Sequence, residues 1–167
     1  QALPADAPAA QARRAAASHR RGAGRALNLY AESSAVLGWL LGEPSGEAVR
    51  QALAQADLVV ASDLTLVECD RILIRRQATG ALSASDADRL RRMLSAAAGH
   101  WDVMRIEREV IERARRPFPG EPIRTLDALH LASGLVARAA VDELAVLSLD
   151  ERVRTAAQAL GLPLVPA

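Results

Sequence analysis

Apolar positions along this chain follow two periods that alternate. LNLYA and DLVVA are short apolar runs of strand length, whereas residues 33–41 between them place Val36, Leu37, Leu40 and Leu41 at helical spacing. Pro44 and Gly46 interrupt that helix, and GEAVRQALAQA forms a second. After DLVVA, Asp63 or Thr65 is placed to cap a helix carrying Leu66, Val67, Ile72, Leu73 and Ile74, which Gly80 ends. LSASDADRLRRMLSAAA opens the next helix with Ser83 or Ser85 as cap and acids in its first turn, where the helix dipole favours them. HWDVMRI reads as a strand and EREVIERARR as a helix stopped by Pro117 and Pro119. The loop FPGEP leads to a helix over residues 125–138, then come the strand ELAVLSL, the helix DERVRTAAQAL, Gly161 and a last strand, LPLV. Strands alternating with helices predict an α/β fold with a mainly parallel sheet covered on both faces. Ligands of such sheets sit beyond the carboxyl ends of the strands, at a switch point in strand order.

Residues 1–26 break this pattern. They hold Ala, Pro, Gly and Arg but almost no large apolar side chain, too little to offset the entropy of ordering, so a flexible extension is expected there and a folded domain over 27–167. Five Arg against one Asp give residues 1–25 a charge of +4, while 16 Arg against 19 acids leave the remainder at −3. The basic extension is suited to electrostatic contact with RNA. Four aromatic residues, Tyr30, Trp39, Trp101 and Phe118, are too few for a base-stacking platform. A lone cysteine, Cys69, makes no intramolecular disulfide and fits a reducing compartment, so a cytoplasmic location is expected. No apolar run approaches the ~20 residues that span a bilayer.

The candidate chemistry lies in four carboxylates. Glu32, Glu68, Asp127 and Asp150 each sit at the edge of an apolar segment, in LNLYAESSAVL, LTLVECDRIL, IRTLDALHLASGL and AVLSLDERV. Acids at strand ends and helix starts can gather at one mouth, and like charges held close suppress one another's ionisation unless a cation offsets them. Such a set suits a hard divalent metal. Other chemistries are excluded: no GxxxxGK[ST] or GxGxxG occurs, and a chain without lysine lacks a partner that an aspartyl-phosphate domain needs.

YAESSAVLGWLL, LTLVECDRIL, RTLDALHLASGL and VLSLDERVRTAAQALGLPLV resemble, in order and spacing, the four acidic motifs of PIN-domain ribonucleases, in particular the VapC toxins of bacterial toxin–antitoxin pairs. The resemblance runs from Leu27 to the C-terminus. It implies a three-layer α/β/α fold with about five mainly parallel strands. It also implies a site in which Glu32, Glu68, Asp127 and Asp150 hold Mg²⁺ or Mn²⁺ for RNA hydrolysis to 5′-phosphate and 3′-hydroxyl ends. A small VapB-like antitoxin and a homodimer are the implied partners, with the helical pair over residues 63–97 a candidate surface for both. The first motif departs from the family by carrying Glu32 where Asp is usual, and the alternative function is therefore a catalytically impaired domain that binds RNA or protein without cutting.

Hydroxyls flank these acids. Ser33, Ser34, Thr125 and Ser148 are candidates to support a carboxylate, with helix capping the competing role for Ser33 and Thr125. His130, three residues after Asp127, shares its helix face, but a hard-metal site is built from oxygen, so a structural role is expected for it. Cys69 is expected to be a packed, unreactive thiol. Arg124 and the arginines of the extension are candidates for phosphate contact.

Overall fold

The computed structural model describes residues 26–166. The expected extension over residues 1–26 falls, apart from Ala26, outside them.

Five strands form one sheet: β1 (Asn28–Ala31), β2 (Leu58–Ser62), β3 (Asp102–Met104), β4 (Leu144–Leu147) and β5 (Leu164–Val165). All neighbours are parallel, in the order β3-β2-β1-β4-β5. The chain winds outward from β1 through β2 to β3, then returns to β1's other side for β4 and β5. The strand order therefore reverses between β1 and β4, and the crevice expected of such a sheet opens at their carboxyl ends. The Glu32 amide prolongs the pairing there by donating to Leu147 O at 3.0 Å.

The period of two along each strand separates two layers of core. Leu29, Ala31, Val59, Ala145 and Leu147 pack on one side with α1 (Ser33–Leu40), α2 (Gly46–Gln55), α3 (Asp63–Ala78) and α4 (Ala84–Ala98). Tyr30, Val60, Leu144 and Val146 face the other side, where α5 (Arg108–Ala114), α6 (Thr125–Ala140) and α7 (Glu151–Ala159) lie. The result is the expected three-layer arrangement. One close approach demands glycine: a Cβ on Gly46 would run into the Gly38 carbonyl, so α2 begins directly against the α1 backbone.

Two caps refine the sequence-based expectations. Ser83 caps α4, accepting from the Asp86 amide at 3.0 Å and donating to the Asp86 carboxylate at 2.7 Å. For α3 the cap is neither Asp63 nor Thr65 but Ser62, the last residue of β2, still in extended conformation. Thr65, inside the first turn, completes a capping box instead, its hydroxyl accepting from the Ser62 amide at 3.5 Å while donating to Ala31 O at 3.0 Å, which ties α3 to the end of β1.

Candidate functional site

Glu32 follows β1 directly and is itself the N-cap of α1, its carboxylate accepting from the Ser34 amide at 3.1 Å. It is only 4% exposed, and burying a carboxylate at that depth requires donors on its oxygens. Four are present. Ser33 Oγ and the Ser34 amide donate to Oε1, Ser33 at 2.8 Å, while Ser34 Oγ and Ser148 Oγ donate to Oε2, Ser148 at 2.8 Å. These occupy the roughly four lone-pair positions of a carboxylate.

Ser34 is the hub of this arrangement. Besides donating to Glu32, its hydroxyl accepts from the Leu149 amide at 2.9 Å and the Asp150 amide at 3.0 Å, fastening the turn after β4 to the start of α1. Asp150 then caps α7, its Oδ1 accepting from the Arg152 amide at 2.8 Å and the Val153 amide at 3.4 Å.

Glu68, on α3, approaches from the other side. Ser33 Oγ lies 2.8 Å from Glu68 Oε2 as well as from Glu32, and His130 Nε2 lies 2.6 Å from the same Glu68 oxygen. His130 Nε2 is also 3.7 Å from Glu32 Oε1, so one ligand atom each from Glu32, Glu68 and His130 fall within 4.8 Å of one another. Behind the imidazole, Tyr30 OH lies 3.0 Å from His130 Nδ1 and 3.1 Å from Ser62 Oγ.

Among the described residues, no hydrogen-bond donor lies on the carboxylate of Asp127, in the first turn of α6. Its pKa is raised, first by burial and then by the charges of Asp150 and Glu32, against the opposing pull of Arg124 and Arg152. It lies at the edge of an open depression of about 340 Å³ that includes Pro122, Ile123, Arg152 and Thr155. At Glu68, burial works to raise the carboxyl, but the hydrogen bonds from His130 and Ser33 outweigh it and leave the pKa below the ordinary value. Burial pushes Tyr30 up to about 12, partly countered by its bond with Ser62. Cys69 is buried, and the loss of solvent followed by the charges of Glu32, Glu68 and Asp70 raises its pKa, in keeping with an unreactive thiol.

The fold thus joins Glu32 and Glu68 directly through Ser33, and brings Asp127 within electrostatic reach of Asp150 and Glu32. Ser33 and Ser148 touch carboxylates. Thr125 does not: it opens α6, exposed, without capping it, since the N-cap is Arg124. Ser34, a candidate support like Ser33, also touches Glu32; Tyr30 is not among the expected residues, and His130, expected in a structural role, lies against both Glu68 and Glu32. A signal existed for Tyr30, which lies two residues before Glu32 and so on the same face of the strand. As for a divalent cation, the free oxygens on Glu68, Asp127 and Asp150, together with the like-charge strain on Asp127, fit such a group.

Three comparisons bear on this geometry. The family model described as PIN domain matches residues 29–159. Ribonuclease VapC46 of Mycobacterium tuberculosis is 33% identical over 137 residues, which cover 82% of this chain and 95% of that protein. The crystal structure of Mycobacterium tuberculosis VapC20, titled a Sarcin-Ricin loop cleaving toxin, superposes with a TM-score of 0.53 at 16% identity, covering 77% of this chain and 94% of that one. At that identity the last likeness speaks to the fold alone.

Proposed function

This chain belongs to the PIN domain family, and from that premise we propose that it is a metal-dependent endoribonuclease, the toxin of a toxin–antitoxin pair. The observation that carries the reading is the gathering of Glu32 and Glu68, with Asp127 and Asp150 in electrostatic reach, at the switch point of a parallel sheet. The similarity to a protein named as a ribonuclease, over most of both chains, supports it.

Glu32, Glu68, Asp127 and Asp150 would hold Mg²⁺ or Mn²⁺. Such an ion supplies Lewis acidity, lowering the pKa of water and offsetting charge on the phosphate under attack. The protein's own part is to hold the donors in place. Glu32 is fixed by three serine hydroxyls and one amide, and Glu68 by Ser33 and His130. The Asp150 backbone is fixed by Ser34 and its carboxylate by the α7 amides. Arg124 and Arg152, whose charges act on Asp127, are positioned to attract the RNA backbone towards the acids. The depression beside Asp127 offers room for the strand entering the site.

A VapB-like antitoxin and a second copy of the chain are the proposed partners. The α3–α4 pair, residues 63–97, exposes Val67 (56%) and Met93 (36%), apolar side chains that contact with a partner would cover. Among the described residues no helix is long and apolar enough to cross a membrane. Residence in the cytoplasm, where RNA and antitoxin are found, belongs to the same reading.

The second reading, a domain that binds without cutting, has one observation in its favour: four protein donors already occupy the Glu32 carboxylate. Cleavage of a mixed small-RNA pool with Mg²⁺, Mn²⁺ or EDTA separates the two, with Asp127→Asn and Glu32→Asp run alongside. Metal-dependent cutting that Asp127→Asn abolishes supports the nuclease. Cutting that appears only in Glu32→Asp supports the impaired site.

A further inference from the structure

We propose that Tyr30 and His130 form a positioning relay that fixes Glu68 as a single-oxygen donor to the site, with Oε2 held by protein and Oε1 alone presented. The proposal rests on the metal-site reading above and adds two residues to it.

Glu68, when ionised, only accepts, so at 2.6 Å the hydrogen between it and His130 belongs to Nε2. On the other side of the ring, Tyr30 OH lies 3.0 Å from Nδ1 and 3.1 Å from Ser62 Oγ, so the imidazole is held at both nitrogens with its Nε2–H aimed at Glu68. Ser62, Tyr30, His130 and Glu68 thus form one hydrogen-bonded series, from the end of β2, across β1, to α6 and α3.

Burial leaves little freedom to break this order. His130 is 2% exposed, Tyr30 1% and Ser62 0%, so their polar atoms depend on one another for partners and breaking the series would leave one unpaired. Ring packing adds to it: the Tyr30 and His130 rings meet edge-on, centroids 6.1 Å apart. At the far end, Glu68 Oε2 accepts His130 Nε2–H and shares the single Ser33 hydroxyl hydrogen with Glu32 Oε1, while among the described residues no donor lies on Glu68 Oε1. A hydrogen-bonded imidazole that orients a carboxylate in this way is an outer support for a metal, and removing such support typically costs 10–100-fold in metal affinity.

The test pairs the Nε2 proton with affinity. In histidine-¹⁵N-labelled full-length protein, with the His130 signals assigned through His130→Gln, the relay requires a proton on Nε2 both before and after Mg²⁺ is added. Loss of the Nε2 proton on adding Mg²⁺ would make His130 a ligand and overturn the relay. Calorimetric titration with Mn²⁺ is expected to show about tenfold weaker binding in Tyr30→Phe at unchanged circular dichroism. His130→Gln, whose amide still donates to Glu68, should bind more tightly than His130→Leu. Unchanged Mn²⁺ affinity in Tyr30→Phe would contradict the proposal. A parent protein that binds no Mn²⁺ would instead count against the metal site, and the presence or absence of the Nε2 proton in the metal-free protein would still decide whether the relay exists.

Discussion

Ser148 donates its hydroxyl to the carboxylate of Glu32 across 2.8 Å, joining the residue after β4 to the residue after β1 at the point where the strand order reverses. Removing a hydrogen bond to a buried charge costs about 2 kcal/mol, so Ser148→Ala should lower the unfolding free energy by about that amount. Ser34→Ala should cost more, because the Leu149 amide loses its acceptor along with Glu32 losing a donor. Chemical denaturation of the two variants, read against the parent, checks both the size and the order.

Glu32 is matched to its three serines by length. Shortening it by one carbon in Glu32→Asp, the usual family residue, should leave at least one of the Ser34 and Ser148 hydroxyls without its acceptor and destabilise the fold by ~1–3 kcal/mol. A variant as stable as the parent would show that the serine shell readjusts, and thermal unfolding distinguishes the two results.

Asp127 and its neighbours make the metal-free site electrostatically strained. Its pKa is raised in the fold by burial and by Asp150 and Glu32. For such a group, stability is fully present below the unfolded-state pKa and is lost as pH rises through the folded-state value. At neutral pH in EDTA, Asp127→Asn is therefore expected to melt higher than the parent, with the difference vanishing in acid below the ordinary aspartate range. Added Mn²⁺ should raise the parent's melting temperature and leave the variant's little changed.

Tyr30 provides a separate probe in alkali. It is the sole tyrosine of the chain, so tyrosinate absorbance reports on it alone. Because its pKa is raised from 10.0 to about 12, the stability it contributes is intact below pH 10 and lost as pH climbs towards 12. An absorbance titration of the native protein should place its ionisation near 12, and Tyr30→Phe should soften the loss of stability above pH 10. Ionisation at an ordinary tyrosine value would mean that the hydroxyl reaches water.

The elements were legible in the sequence because each is a local pattern: LNLYA and ELAVLSL could only be buried strands, and the prolines and glycines around them mark where they stop. The four acids were legible for the same reason, each sitting at the edge of such a run. Their supports were legible only in part, since the serines stand beside the acids in sequence but the partners they meet across the fold do not. Ser34 meets Leu149 and Asp150 across 115 and 116 residues, and His130 meets Glu68 across 62, pairings that only the strand order creates. The α3 cap falls on Ser62, the last residue of β2, because the pairing of that strand with β1 and β3 sets where it gives way to the helix. Thr125 looked like Ser148, a hydroxyl two residues before an acid, but two residues along a helix point about 200° apart, whereas two along an extended segment share a face.

The central claim is that these carboxylates direct hydrolysis of RNA with the aid of a divalent cation. End-group analysis of RNA cut by the parent protein in Mn²⁺ tests it most directly. Fragments bearing 5′-phosphate and 3′-hydroxyl ends, with ¹⁸O from labelled water in the phosphate and none formed in EDTA or by Asp127→Asn, are the expected result. Fragments ending in 2′,3′-cyclic phosphate, or cutting that persists in EDTA, would contradict it.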